Sequence, residues 1–336
     1  MSGLAEALLS PGGRVAGGEG DGGAKRVRSS EHPPLPGAYW RQAHRACPTG
    51  GEGLEPEPGP GWSARLNLRF EPREVSGVKR TVMTERNHFG PLRILKPLYP
   101  EGNDICHGVI VHPPGGIVAG DSLAIDVRVD QDANAVITTP GAQKWYRSTG
   151  TQASAATRLH VADGGALEWM PQETIVFDGT LARQSLEVAL GADARFFGWE
   201  MLCLGRTTRG ERFTTGDFRQ CIRLVRADTS APSWRESMVI AGDDPLLASP
   251  LGLRGMPVAA TAWIAVPDAD GLLADVRATL DEHPFAAASS PEPGLVVVKV
   301  IGDAPEAVRN LLIAVWSKIR MQVFGRKPEL PRIWST

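Results

Sequence analysis

Three carboxylates stand where the surrounding pattern asks for apolar side chains, and a fourth ends a glycine-rich loop. Glu200 lies in "FFGWEMLCLG", and in an extended segment it shares a face with Phe196, Leu202 and Leu204. Glu168 sits between Leu167 and Trp169, and Glu236 lies in "SWRESMV". Asp121 closes the loop "HPPGGIVAGDSL", His112 to Leu123. A carboxylate in such a setting must find a partner, shift its pKa or line a wet cavity. Two readings follow. Each group is a buried ion pair or an edge-strand residue reaching solvent, or together they form an acidic lining that passes a divalent cation.

Other groups invite chemistry with less to support it. The glycine-rich loop resembles a phosphate cradle, but such a loop needs Lys and Ser/Thr after its last glycine and a helix behind it. Here Gly120 is followed by Asp121 and an alternating strand, so a tight turn is the plainer reading. "CHGVIVHPP" holds Cys106, His107 and His112, ligand types that suit nickel, copper or zinc. The two histidines are five positions apart, however, which in a strand puts them on opposite faces. Cys106 reads more simply as a small buried hydrophobe. Lys144, Tyr146 and Arg147 in "TTPGAQKWYRS" offer either an anion site or an exposed turn. No nucleophile–base pair stands out.

The elements that must position these groups are mostly strands. "RLNLRF" places Leu66, Leu68 and Phe70 on one face, and "LAIDVRVD" does the same with Leu123, Ile125, Val127 and Val129. "TRLHVADGGALEWMPQ" repeats the design around Asp163-Gly164-Gly165. Alternation with short glycine-rich turns predicts half-buried antiparallel strands, and so a sandwich or coil of sheets. No repeat of fixed period is visible. Val258–Val266 and "GLVVVKVIG" read as further strands. Two helices are expected near the end. One spans Asp268–Leu280 with Asp268 as N-cap. The other is "DAPEAVRNLLIAVWSKIRMQV", capped by Asp303, with Pro305 in its first turn and Glu306 at capping-box spacing. Val308, Leu311, Leu312, Val315 and Ile319 form its core stripe. The fold class is therefore mainly β, a large multi-stranded body of stacked or coiled sheets with two C-terminal helices packed on it.

The whole chain of 336 residues is 42% hydrophobic and 22% charged with a formal net charge of −2, which is ordinary globular composition without a nucleic-acid footprint. Its longest apolar runs, such as Leu311–Trp316, are too short to span a bilayer. Met1–Ser10 lacks a basic region before its apolar residues, so no secretory signal is expected. Cys47, Cys106, Cys203 and Cys221 are scattered and make no disulfide framework. A cytoplasmic location is the simplest expectation. Gly and Pro fill 21 of the first 60 positions, so residues 1–60 read as a disordered extension and 61–336 as the folded domain.

Several long motifs occur together and in order: "GPLRILKPLYPEG", "CHGVIVHPPGGIVAGDSL", "TTPGAQKWYRS", "ALEWMPQETIVFDG", "GWEMLCLGR" and "LPRIWST". From Gly61 to Thr336 the chain resembles the UreD (UreH) family of urease accessory proteins. The resemblance implies a non-catalytic metallochaperone scaffold of mostly β structure with two helices. Its implied partners are UreF, the GTPase UreG and apo-urease, arranged as a dimer of UreD–UreF units, with neither nucleic acid nor membrane involved. It implies no permanently bound cofactor: Ni2+ is in transit, and GTP sits on UreG alone. It also implies a water-filled acidic path for nickel, to which Asp121, Glu200 and Glu236 are assigned, with Glu168 as a further candidate. On that view Pro113–Gly120 shapes the backbone so that Asp121 faces the path. The alternative is an interaction scaffold through which no metal passes.

Overall fold

Alternating sequence builds a strand only where one face is buried, and here two sheets bury each other's inner faces. The computed structural model of the protein describes residues 59–226 and 234–335. Nearly all of the expected 1–60 extension lies outside them. The chain enters as a long hairpin of β1 (Ser63–Val75) and β2 (Val78–Phe89), turned at Ser76-Gly77 with positive φ at both residues. That is the turn geometry whose twist matches antiparallel strands. There follow β3 (Arg93–Ile94), β4 (Cys106–Val111), β5 (Ser122–Val129), β6 (Asn134–Thr138), β7 (Gln143–Trp145), β8 (Ala153–Val161), β9 (Ala166–Met170) and β10 (Thr174–Val176). Then come β11 (Thr180–Leu190), β12 (Arg195–Leu204), β13 (Gly216–Arg226), β14 (Trp234–Ala241) and β15 (Val258–Ala265). The end of the chain holds α1 (Leu272–Leu280), β16 (Ala286–Glu292), β17 (Leu295–Gly302) and α2 (Pro305–Phe324).

One sheet has the order β14-β13-β11-β8-β5-β1-β2. The other runs β16-β17-β15-β12-β9-β6-β4-β3, with β10 bridging β12 and β7. From β4 to β13 the chain passes back and forth between the two sheets, and successive coils stack as in a solenoid. The stacked pairs are parallel, not antiparallel as the alternation suggested: β5 on β8, β8 on β11, β11 on β13, and likewise β6, β9 and β12. Asp163-Gly164-Gly165 accordingly closes no hairpin. It carries the chain from β8 in one sheet to β9 in the other. Antiparallel pairing is confined to the ends of the sheets, as in β13–β14 and β12–β15.

The inter-sheet core takes Leu66, Leu68 and Phe70 from β1 and Leu123, Val127 and Val129 from β5. A second core lies between the other face of the larger sheet and the helices. β12 serves both, with Phe196, Leu202 and Leu204 turned inward and Phe197, Trp199, Met201 and Cys203 turned to the helices. A strand buried on both faces reads as a continuous apolar run, which explains "RFFGWEMLCL". The α2 stripe Val308, Leu311, Leu312, Val315 and Ile319 is buried as expected.

Both helices start later than expected. The N-cap of α2 is Ala304 in extended conformation, not Asp303. Pro305 occupies the first helical position, and the residue before a proline is driven out of helical geometry, which fixes the boundary there. The N-cap of α1 is Gly271, not Asp268. The Asp268 carboxylate instead accepts the Asp270 backbone N–H at 2.9 Å, a local turn that competes with helix formation. Among the described residues no helix is long and apolar enough to cross a membrane.

Candidate functional site

A polar row crosses the apolar inter-sheet core. On the larger sheet, Glu200 of β12 pairs in register with Thr261 of β15, and Thr261 with Lys299 of β17. On the facing sheet, Gln184 of β11 pairs with Gln220 of β13. Alternation turns all five inward. Glu200 Oε1 accepts the Trp169 indole N–H at 3.1 Å, and its Oε2 accepts from Gln184 Nε2 at 3.1 Å. Gln184 Oε1 in turn accepts from Gln220 Nε2 at 3.4 Å. Two neutral donors do not replace the hydration of a charge, so burial pushes the Glu200 carboxyl up to about 7, against the pull of those two hydrogen bonds.

The row reaches solvent where the sheet edges meet. Glu236 of β14 holds Lys299 Nζ at 2.5 Å, and Lys299 donates to Thr261 Oγ1 at 2.8 Å. Thr261 Oγ1 also reaches Glu236 Oε2 at 3.5 Å. Side-chain exposure falls inward from 46% at Lys299 to 16% at Glu236, and Glu200 as a residue is only 8% exposed. Glu200 and Glu236 therefore belong to one layer. The indole N–H groups of Trp234 and Trp263, each two residues from a member of this row along the same strand face, are buried without a protein acceptor. Water is their natural partner in a polar layer of this kind. In the opposite direction the row continues from Gln184 as Ala155, Leu123 and Ala64, which carry no ligand atoms.

Asp121 lies outside that row. It is 4% exposed, and its two oxygens accept the backbone N–H groups of Trp62 at 2.8 Å and Val118 at 3.0 Å. The backbone crowds it closely. A Cβ at Gly61 would stand 2.6 Å from the carboxylate, and Gly120, at φ 85°, abuts Gly61 and Pro60. Gly120 is thus explained by this approach between Gly59–Trp62 and Gly120-Asp121, whereas a Cβ at Gly116 would meet the Tyr146 ring. Nearby His112 is held below its usual pKa by burial, against the charge of Asp121.

Glu168 sits on the opposite face of the larger sheet, under α2. It accepts from Arg320 at 2.9 Å through both oxygens, and from the Trp316 indole. Arg320 is fully buried and also forks onto Glu101, at 2.7 and 2.8 Å. Glu101 meets His107 Nε2 at 2.7 Å. Burial works to raise the Glu101 carboxyl, but the His107 and Arg320 bonds outweigh it and hold it near 2. This bidentate clamp ties the loop before β4, the β9 strand and the last helix together. Arg320 and Glu101 were not singled out in the sequence. The signal for Arg320 was its place in the helical series Val308, Leu312, Trp316, Phe324, whose other members are all buried and apolar.

Cys106 and Cys203 are free and buried, and burial raises the Cys106 thiol to about 11. Arg147 pairs with Asp178, and the Tyr146 ring packs edge-on to Phe177. Among the described residues no group of three His, Cys, Asp or Glu side chains is placed to hold a metal ion. What the polar layer offers is a pair of carboxylates with hydroxyl and amide oxygens between them, ligands that take a divalent cation weakly.

A family model described as UreD urease accessory protein matches residues 63–335. A protein named Urease accessory protein UreD from Azoarcus sp. is 43% identical over 277 residues, 82% of this chain and 95% of its own length. Its namesake from Dechloromonas aromatica is 42% identical over 286 residues, 84% of this chain and 97% of that protein. One from Pseudomonas fluorescens is 44% identical over 277 residues, 82% and 96% of the two chains.

Proposed function

The chain belongs to the UreD urease accessory protein family and so has its role in urease maturation, and from that premise we propose that it is a non-catalytic scaffold through which nickel reaches apo-urease. Its partners in this reading are UreF, UreG and apo-urease, in a dimer of UreD–UreF units in the cytoplasm. Ni2+ is cargo, and GTP chemistry belongs to UreG.

One observation carries the nickel part of the reading: Glu200 and Glu236 share a polar layer that runs from the sheet edge into the inter-sheet core. A cation in transit needs oxygen ligands in sequence, each weak enough to let go. Imidazole and thiolate hold nickel tightly, whereas carboxylate, hydroxyl and amide oxygens hold it loosely. A carboxyl that titrates near neutrality weakens capture further, because an arriving cation must displace a proton.

Asp121 and Glu168 favour the second reading, a pure interaction scaffold, at their own positions. Asp121 is fixed by two backbone N–H groups and Glu168 by the fully buried Arg320 cation, whereas Glu200 meets only neutral side chains and Glu236 a half-exposed ammonium. Urease matured with Glu200→Ala, Glu236→Ala and Asp121→Ala variants, singly and together, separates the readings. The path predicts nickel-poor urease with normal capture of UreF and apo-urease for the first two. Normal nickel in all of them leaves the interaction scaffold.

A further inference from the structure

The solvent end of the polar layer carries an ammonium group of the protein itself. Lys299 interrupts the apolar strand "LVVVKVIG". Val298 and Val300 on either side of it are buried against the helices, so alternation turns Lys299 to the inter-sheet face. There its Nζ is bound by Glu236 of the opposite sheet and by Thr261, and lies 5.8 Å from the centre of the Trp234 ring. A lysine on the inner face of a strand is costly unless a carboxylate neutralises it. The converse holds for Glu236, whose charge is already spent on Lys299.

We infer that Lys299 is a stand-in cation that closes this end, and that a divalent ion enters the layer by displacing the Lys299 ammonium from Glu236 and Thr261. The inference rests on the reading that a cation uses the layer. The side chain suits the task. It is half exposed, so the pair is weak and the ammonium can move to water on its flexible stem. One positive charge leaves the carboxylate as two arrive, so Glu236 keeps a cationic partner throughout. Thr261, which accepts the ammonium, is also the register neighbour of Glu200, the next carboxylate inward.

Equilibrium dialysis of the full-length chain against Ni2+ alone tests this near neutral pH. Lys299→Met keeps the apolar stem and removes the charge. It is expected to bind Ni2+ on the order of tenfold more tightly, because an opposite charge beside a carboxylate typically shifts its proton equilibrium by about one to three decades, and the variant removes that competing cation. Adding Glu236→Gln to it should abolish the gain. Lys299→Gln serves as a second variant, and thermal melting by circular dichroism confirms that each protein is folded. If both Lys299 variants bind Ni2+ as the parent does while Glu200→Gln binds it more weakly, the layer takes metal and the gate is overturned. If no variant alters binding, the gate and the path fall together.

Discussion

Glu200→Gln should make the protein more stable at neutral and alkaline pH. The Glu200 carboxyl is raised from an ordinary value of 4.5 to about 7 by burial. The folded state therefore holds this proton more tightly than the unfolded chain does. Stability from this group falls as pH rises from 4.5 to 7, and the full penalty persists above 7. The shift corresponds to about 3 kcal/mol. An amide carries no such penalty. It keeps an oxygen for the Trp169 indole, and the chain Glu200–Gln184–Gln220 can accommodate it because both glutamines can turn their amides over in concert. Urea unfolding at about pH 5 and about pH 8 measures the effect, within the range where such linkage governs stability. The variant should gain up to about 3 kcal/mol over the parent at the higher pH and little at the lower. A parent whose stability is unchanged between the two, or a variant less stable at the higher pH, would refute a buried Glu200 held by neutral partners alone.

Arg320→Met leaves Glu101 and Glu168 buried without their cation and should cost about 3–5 kcal/mol, read as a large drop in melting temperature. Glu101 shows the opposite pH sign to Glu200. Its carboxyl is held near 2, so its contribution is complete above 4.5 and disappears as pH falls toward 2, about 3 kcal/mol in all. Glu101→Gln should flatten the acid limb of the unfolding profile while leaving the alkaline limb alone. Asp121→Asn turns an NH2 group onto one of the two backbone N–H donors it now accepts, so it should cost about 1–3 kcal/mol in chemical unfolding. A cost near zero would mean that Asp121 does not hold Trp62 against Gly120.

The strands of this protein are legible because a buried face imposes period two. Leu66, Leu68 and Phe70 announce β1, and the stripe from Val308 to Ile319 announces α2. Alternation is blind to pairing direction, however. It reports that one face is buried, not which strand lies alongside. In this fold the neighbour of each coil strand is supplied by the next turn of the chain, so glycine turns that look like hairpins are corners between sheets. Helix starts were misplaced for local reasons, Pro305 in one case and the Asp268 turn in the other. For the site, the sequence marked Glu200 and Glu236 as out of place, and their shared row is what three dimensions add. Arg320 and Glu101 stand 219 positions apart, so nothing local in the sequence pairs them. Lys299 is one polar position in an apolar strand, and only β14 of the facing sheet puts Glu236 against it.

The most direct test of the central claim is the nickel content of urease matured with the Glu200→Gln protein. This variant is expected to be more stable than the parent while offering one fewer carboxylate to a passing cation. Metal analysis of the purified urease, beside capture of UreF and apo-urease, should therefore find depleted nickel in an intact assembly. Such depletion cannot be ascribed to unfolding. Full nickel content with a folded variant would contradict the account, and would make the polar layer a feature of the scaffold's structure alone.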